Sequence, residues 1–329
     1  MRTTILWSRT DARGQMPAPV GGGRGWLRKL RRQRLLFLLL LPGFLCVLVF
    51  NYGPMAGLYM AFVDYRTTLG HFWSSLFRSP FVGFRWFRYF FAGYDFALVL
   101  RNTLVSSAMS LVVGFIVPIV IAIALNEARN STFKRVVQTV SYMPYFISWV
   151  IAANMIVTLL SADGLVNEVL RALGLVNRSI LFIQDGRWFW GIIAASNTWK
   201  NMGYQSVIYL AAMSAINPEL FEAARMDGAG RMKQIAYITL PSISSTIVIL
   251  LILSVGSLLN TGFDQYFLLG NLLNREYSDV IDTYAFRYGL QNGMFSYASA
   301  VTLFKAAVAF LMVAAVNGIA RRLELSYLF

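Results

Sequence analysis

The 329 residues are 57% hydrophobic and 13% charged, where a soluble domain carries roughly 45–50% and 25%. An ordinary soluble fold is therefore excluded. The formal charge of +14 by itself admits nucleic acid or an anionic membrane as partner, and the long apolar runs decide for membrane lipid and against nucleic acid. One cysteine and one histidine leave no disulfide and no Cys/His metal cluster to be built within the chain. No lysine follows a glycine and precedes Ser or Thr, so there is no nucleotide-binding P-loop and any ATP chemistry belongs to another subunit.

A membrane-crossing helix needs about 20 mostly apolar residues, because lipid offers its backbone groups no partners. Six stretches meet this: 35–63, 96–125, 136–160, 188–216, 240–269 and 297–320. They predict an all-α membrane protein, with a transmembrane domain over 35–322 between a tail of 1–34 and an end of 323–329. In the first span Asn51-Tyr52-Gly53-Pro54 predicts a kink or break. The apolar run of 35–50 lacks a small-residue cleavage site and reads as an uncleaved anchor. Residues 14–25 are rich in Gly and Pro and predict a disordered tail until the basic cluster of 24–34 meets anionic lipid.

Lys and Arg set the direction: 17 fall in the tail, the 126–135 and 217–239 loops and the C-terminal end, against 10 on the other side. Both termini are expected to be cytoplasmic. The sequence shows no internal repeat, and six spans fall short of a self-contained two-half carrier, which implies a partner permease or a second copy. Residues 81–96 hold nine aromatics. They predict a helix lying in the outer interface, with a saccharide-stacking platform as the alternative.

The loop at 217–241 is the most informative segment. Asn217 is a good N-cap, Pro218 fits the first helical position, and Glu219 and Glu222 complement the positive end of a short helix. Gly228 and Gly230 then let the chain turn, and a second helical piece from Arg231 joins the fifth span at Leu240-Pro241. Small Ala223 and Ala224 beside Glu222, Arg225 and Asp227 suit a helix that seats closely in a groove while its charges fix the register.

Glu222-Ala223-Ala224, Gly228, Ile238 and Leu240-Pro241 stand at the spacing of the EAA loop of ABC-importer permeases. The chain resembles that family, and within it the polysaccharide-type, LplB-like branch of carbohydrate permeases, to which an alginate-oligosaccharide importer belongs. Further passages that carry the resemblance are Leu41-Pro42-Gly43, Leu100-Arg101-Asn102-Thr103, residues 137–144, Trp199-Lys200-Asn201, Gly262-Phe263-Asp264-Gln265 and Asp282-Thr283-Tyr284. The resemblance implies six transmembrane helices of the type I importer kind with a cytoplasmic coupling helix. It implies two permeases, usually different, on two cytoplasmic ATPase subunits that use ATP and Mg, and an extracytoplasmic solute-binding protein that delivers an oligosaccharide. This chain then binds no cofactor, catalyses nothing and sits in a bacterial inner membrane. Carried over, Glu222, Ala223, Ala224 and Gly228, with Arg225 and Asp227 beside them, form the ATPase-coupling set.

Ionisable groups inside spans are costly and usually face the bundle interior or a wet cavity. Lys200, Asp264 and Lys305 are such groups. Asn197, Lys200, Asn201 and Tyr204 recur at helical spacing and predict a translocation path along the fourth span, with Asn260 as a further candidate. Trp199 and Tyr204 either stack on sugar rings or simply pack. Helical rise places Asp264 and Lys305 at matching depth near the outer mouth and predicts an ion pair between them. Lys200 is then either free for a ligand hydroxyl or carboxylate, or tied to a backbone carbonyl or a partner's acid. The acidic run of Glu276, Asp279 and Asp282 is either a solvated loop or a surface for a cation or a basic partner.

Two other classes compete. A membrane saccharide or lipid transferase needs a general base or metal site, for which the groups are scarce. A secondary carrier or channel would move solute without any ATPase.

Overall fold

The computed structural model describes residues 33–67 and 71–322. The Gly/Pro-rich tail, most of the 24–34 cluster and the end at 323–329 lie outside the described residues. The described residues divide into two compact units, with the boundary between Gly57 and Leu58.

In the first unit, helix α1 (Arg34–Val47) is apolar and buries none of its side chains, as a helix does when its surroundings are lipid. The expected interruption takes the form of a change in winding. Leu48–Tyr52 is a wide π turn closed by the Gly53 N–H on the Leu48 carbonyl, and a tight 3-10 coil follows from Gly53. Pro54 thus falls at the start of a new coil, where its missing N–H has no partner to lose.

The second unit contains α2 (Arg85–Ala92), α3 (Asp95–Glu127), α4 (Ser131–Tyr142), α5 (Trp149–Leu159), α6 (Leu165–Ala172), α7 (Phe189–Ser214), α8 (Pro218–Met226), α9 (Ser244–Gly256), α10 (Phe263–Leu269), α11 (Ile281–Phe286) and α12 (Phe295–Arg322). Among the described residues there is no strand, only a single antiparallel bridge between Val63 and Phe81. The most extensive helix contact is α3 against α7. One end of this pair is closed by Phe189, Ile193, Tyr266 and Leu269, the other by Ala122, Tyr209, Met213 and Ile243.

Three helical runs, Arg34–Phe62, Asp95–Glu127 and Phe295–Ile319, are long and apolar enough to cross a membrane. Two bent pairs, Ser131–Phe146 with Trp149–Leu159 and Arg231–Ser242 with Ser244–Gly256, qualify when each is taken as one span. The expected fourth span, α7, has the length but carries too many polar side chains to qualify by composition.

Two expected spans are not straight. The third is bent by 104°, because Met143–Phe146 tightens into a 3-10 turn containing Pro144 and Ser148 restarts the helix by accepting the Ile151 N–H. The fifth is bent by 61° at Ile243 and stops at Gly256. Gly262, at φ +79°, then redirects the chain into α10, a position only glycine adopts without strain. The aromatic stretch at 81–96 forms α2, whose Phe90 is 1% exposed and packs edge-on against Phe96 and Phe304, while Tyr89, Phe91 and Tyr94 remain exposed.

Gly203 lets α7 approach α4 closely: a Cβ there would lie 2.1 Å from the Ser141 carbonyl oxygen. Gly203→Val is expected to force the helices apart, at a cost of about 1–3 kcal/mol, read as a lower Tm of the purified protein. An unchanged Tm would show that the contact yields freely.

Candidate functional site

Between the two apolar ends of the α3–α7 pair lies a polar cavity of about 160 Å³. Helix α3 supplies Ser107, Ser110 and Gly114 to its wall, α7 supplies Asn197, Thr198, Asn201 and Gln205, and the end of α9 with the following turn supplies Ser254, Ser257, Asn260 and Thr261. The Ser107, Ser110 and Thr198 hydroxyls are buried without a hydrogen-bond partner. Unpaired buried hydroxyls cost free energy, so their convergence on one cavity marks a place built for water or a polar solute. Asn201 Nδ2 donates to Asn197 Oδ1 at 2.6 Å and to the Asn197 carbonyl at 2.9 Å, which holds both amides on the cavity side.

Of the residues expected on a translocation path, Asn197, Asn201 and Asn260 line the cavity, and the other candidates do not. Lys200 is 8% exposed and faces α4 and α5. Its Nζ donates to the carbonyls of Pro144 at 3.2 Å, Tyr145 at 2.9 Å and Ile147, and lies 5.6 Å from the Trp149 ring. The backbone-tied alternative is the one realised, and Lys200 is not free for a ligand. Tyr204 stacks on Tyr145 with centroids 4.4 Å apart, and Trp199 is half-buried away from the cavity. The stripe that faces the cavity is 197, 198, 201 and 205, one position round the helix from the expected one. Its signal was the four-residue recurrence of Asn197, Asn201 and Gln205, matched on α3 by Ser107, Ser110 and Gly114.

The expected Asp264–Lys305 pair is also corrected. Asp264 is exposed on α10, because the fifth span ends before it. Lys305 pairs with Asp282, Nζ to Oδ1 at 2.5 Å, and Asp282 Oδ2 accepts from Thr261 Oγ1 at 3.1 Å, tying α12 to the cavity rim. The acidic run is mostly consumed inside the fold. Asp279 is 5% exposed and pairs with Arg287 at 2.6 Å. Burial opposes the Arg287 charge, but the hydrogen bond and attraction of Asp279 outweigh it and hold the guanidinium above its ordinary range. Asn102 Nδ2 donates to the carbonyls of Glu276 and Asp279, and Thr103 Oγ1 accepts the Ile281 N–H, so the 276–281 segment is clamped to α3.

The 217–241 loop folds as its sequence indicates. Asn217 Oδ1 accepts the Glu219 N–H at 3.1 Å, and α8 ends at Gly228, φ +74°, with the Ala229 N–H returning to the Ala224 carbonyl at 2.8 Å. Gly230 keeps a negative φ and serves as the N-cap of the next short helix. Glu222, Ala223, Arg225, Asp227 and Gly228 are exposed and Ala224 half-buried. Among the described residues the charges of Glu222, Arg225 and Asp227 have no ion-pair partner, and Met226 beside them is 89% exposed. This is a surface of small, charged and apolar groups with nothing of its own chain against it.

The family described as binding-protein-dependent transport system inner membrane component matches residues 114–325. Protein LplB of Bacillus subtilis (strain 168) is 41% identical over 316 residues, covering 95% of this chain and 97% of LplB. The polygalacturonan/rhamnogalacturonan transport system permease protein YteP of the same strain is 43% identical over 297 residues, 90% of each chain. A chain of the bacterial alginate ABC transporter, solved in complex with an alginate pentasaccharide-bound periplasmic protein, is 39% identical with a TM-score of 0.82 over 92% of this chain and 98% of that one.

Lys200→Met is expected to strand the Tyr145 and Ile147 carbonyls at the α4–α5 break, the Pro144 carbonyl keeping the Ile147 N–H, at about 1–3 kcal/mol for each group left unsatisfied, and to lower the Tm. Asp282→Asn alone is expected to destabilise by about 3 kcal/mol. Combining it with Lys305→Met should recover much of that loss, because no unpaired charge is then left behind. A double variant no better than the single one would sink the pairing.

Proposed function

This chain belongs to the family of binding-protein-dependent transport system inner membrane components, and from that membership we propose that it is the permease subunit of an ABC importer for oligo- or polysaccharides. It provides the route through the membrane and takes its drive from elsewhere. A second, different permease subunit completes the route, and two cytoplasmic ATPase subunits hydrolyse ATP with Mg. An extracytoplasmic binding protein hands over the sugar. Six spans, with α7 as the polar fourth, put both termini and the 217–241 loop on the cytoplasmic side.

The observation that carries the route is the polar cavity walled by α3, α7 and the end of α9. Its unpaired hydroxyls and its Asn201 and Gln205 amides offer a sugar the hydrogen bonds it loses on leaving water. Coupling runs through α8. Glu222, Ala223, Ala224, Arg225, Asp227 and Gly228 seat in a cleft of the ATPase, the alanines allowing close approach and the charges fixing the register. Closure of the ATPase pair on ATP moves α8 and rocks the bundle from inward- to outward-facing. Hydrolysis then returns it, with the sugar released inward.

The test is ATP-driven uptake of oligosaccharide by the complete importer in proteoliposomes carrying its binding protein. Ala223→Arg is expected to cut uptake at least about tenfold, the effect of 1.4 kcal/mol at the docking contact, while the chain still inserts. Undiminished uptake in that variant would contradict docking through α8. Uptake driven by a proton or sodium gradient without ATPase would favour a secondary carrier.

A further inference from the structure

A second cavity, of about 250 Å³, adjoins the polar one and shares Tyr266 with it. Its charged wall is Arg275, Arg287 and Asp279, and its aromatic wall is Phe267 and Phe286. Two guanidiniums face one carboxylate, so the cavity keeps an unbalanced positive charge. The single carboxylate is already engaged. Asp279 Oδ2 takes Arg287 at 2.6 Å and Arg275 Nε at a looser 3.8 Å, and Oδ1 accepts from Thr283 Oγ1 at 3.0 Å.

Arg275 is therefore the under-used partner. Its side chain is 48% exposed against 6% for Asp279, and apart from that loose contact no hydrogen bond from its guanidinium occurs among the described residues. A planar guanidinium with free N–H groups matches a carboxylate in bidentate fashion, and an aromatic wall offers a flat apolar face to a sugar ring. Phe267 is 47% exposed and stacks nearly parallel on Phe263, which holds that face in place.

We propose that this cavity is a subsite for a carboxylated sugar residue, a uronate, with Arg275 holding the carboxylate and the Phe267 face carrying the ring. The subsite rests on the reading of the chain as a saccharide permease, in which the 270–296 segment faces outward, and it lies immediately before the polar cavity. Arg287 is the fixed charge locked to Asp279, and Arg275 is the one that turns to the ligand.

The experiment is equilibrium binding of trigalacturonate, and of its uncharged methyl ester, to the purified permease–ATPase complex in lipid nanodiscs without binding protein. The complex is expected to bind the acid at least about tenfold tighter than the ester, the discrimination that one charge-assisted contact of about 1.4 kcal/mol provides. Arg275→Gln should erase that difference, and Arg275→Lys should retain part of it. Because Arg275 is half exposed and its one contact is loose, an unchanged Tm is expected for both variants. Equal binding of acid and ester, discrimination that survives Arg275→Gln, or no binding of either would overturn the subsite. ATP-driven uptake by the complete importer is measured in parallel, and its absence would instead overturn the permease reading.

Discussion

A buried ammonium facing three carbonyls is the constraint on which the bundle depends. The α4–α5 bend of 104° frees the backbone oxygens of Tyr145 and Ile147, beside a Pro144 carbonyl that accepts the Ile147 N–H, and in an apolar setting freed groups must find donors. Lys200 supplies all three from a neighbouring helix. The charge is thereby solvated by protein dipoles, and α7 is fixed in rotation. With Lys200 turned toward α4 and Gly203 allowing backbone contact on the same side, Asn197, Asn201 and Gln205 face α3 and the cavity. Fold and site are set by one arrangement, since the side chain that secures the bend also aims the polar stripe.

A second polar framework secures the other side of the cavity. Gln265 Nε2 donates to the Ile193 carbonyl and to Ser196 Oγ, Ser106 Oγ meets Tyr266 OH at 2.5 Å, and Asp282 joins Lys305 to Thr261. These bonds hold α10 and the turn before it in the absence of a continuous helix. They explain how a span that stops at Gly256 still closes the end of the bundle.

The sequence made the class of fold, the approximate positions of the helices and the shape of the 217–241 loop legible, because each rests on local signals. Apolar length marks spans, Asn217-Pro218 marks a helix start, and Gly228 marks its end. What it hid depends on tertiary geometry. The third and fifth spans read as straight because their hydropathy is continuous across Pro144 and Ile243, and a bend is decided by what satisfies the freed carbonyls. The Asp264–Lys305 pairing assumed one unbroken rise through 240–269; once the chain breaks at Gly256, the partner of Lys305 becomes Asp282 on a different element. Lys200 was visible as an anomaly, but which way it pointed was settled by the bend it serves. Gln205 and the α3 serines escaped notice because hydroxyls and amides in an apolar helix are individually common, and only their meeting in one cavity singles them out.

The lining of that cavity has a consequence for selectivity. Serine and threonine hydroxyls rotate freely and serve as donor or acceptor on demand, so Ser107, Ser110 and Thr198 present no fixed stereochemical template, whereas the hydrogen-bonded Asn197–Asn201 amides do. On the proposed route, those hydroxyls by themselves tell an axial sugar hydroxyl from an equatorial one by no more than a fraction of a hydrogen bond. On that route, discrimination between epimers falls to the fixed amide planes of the cavity and not to its hydroxyls.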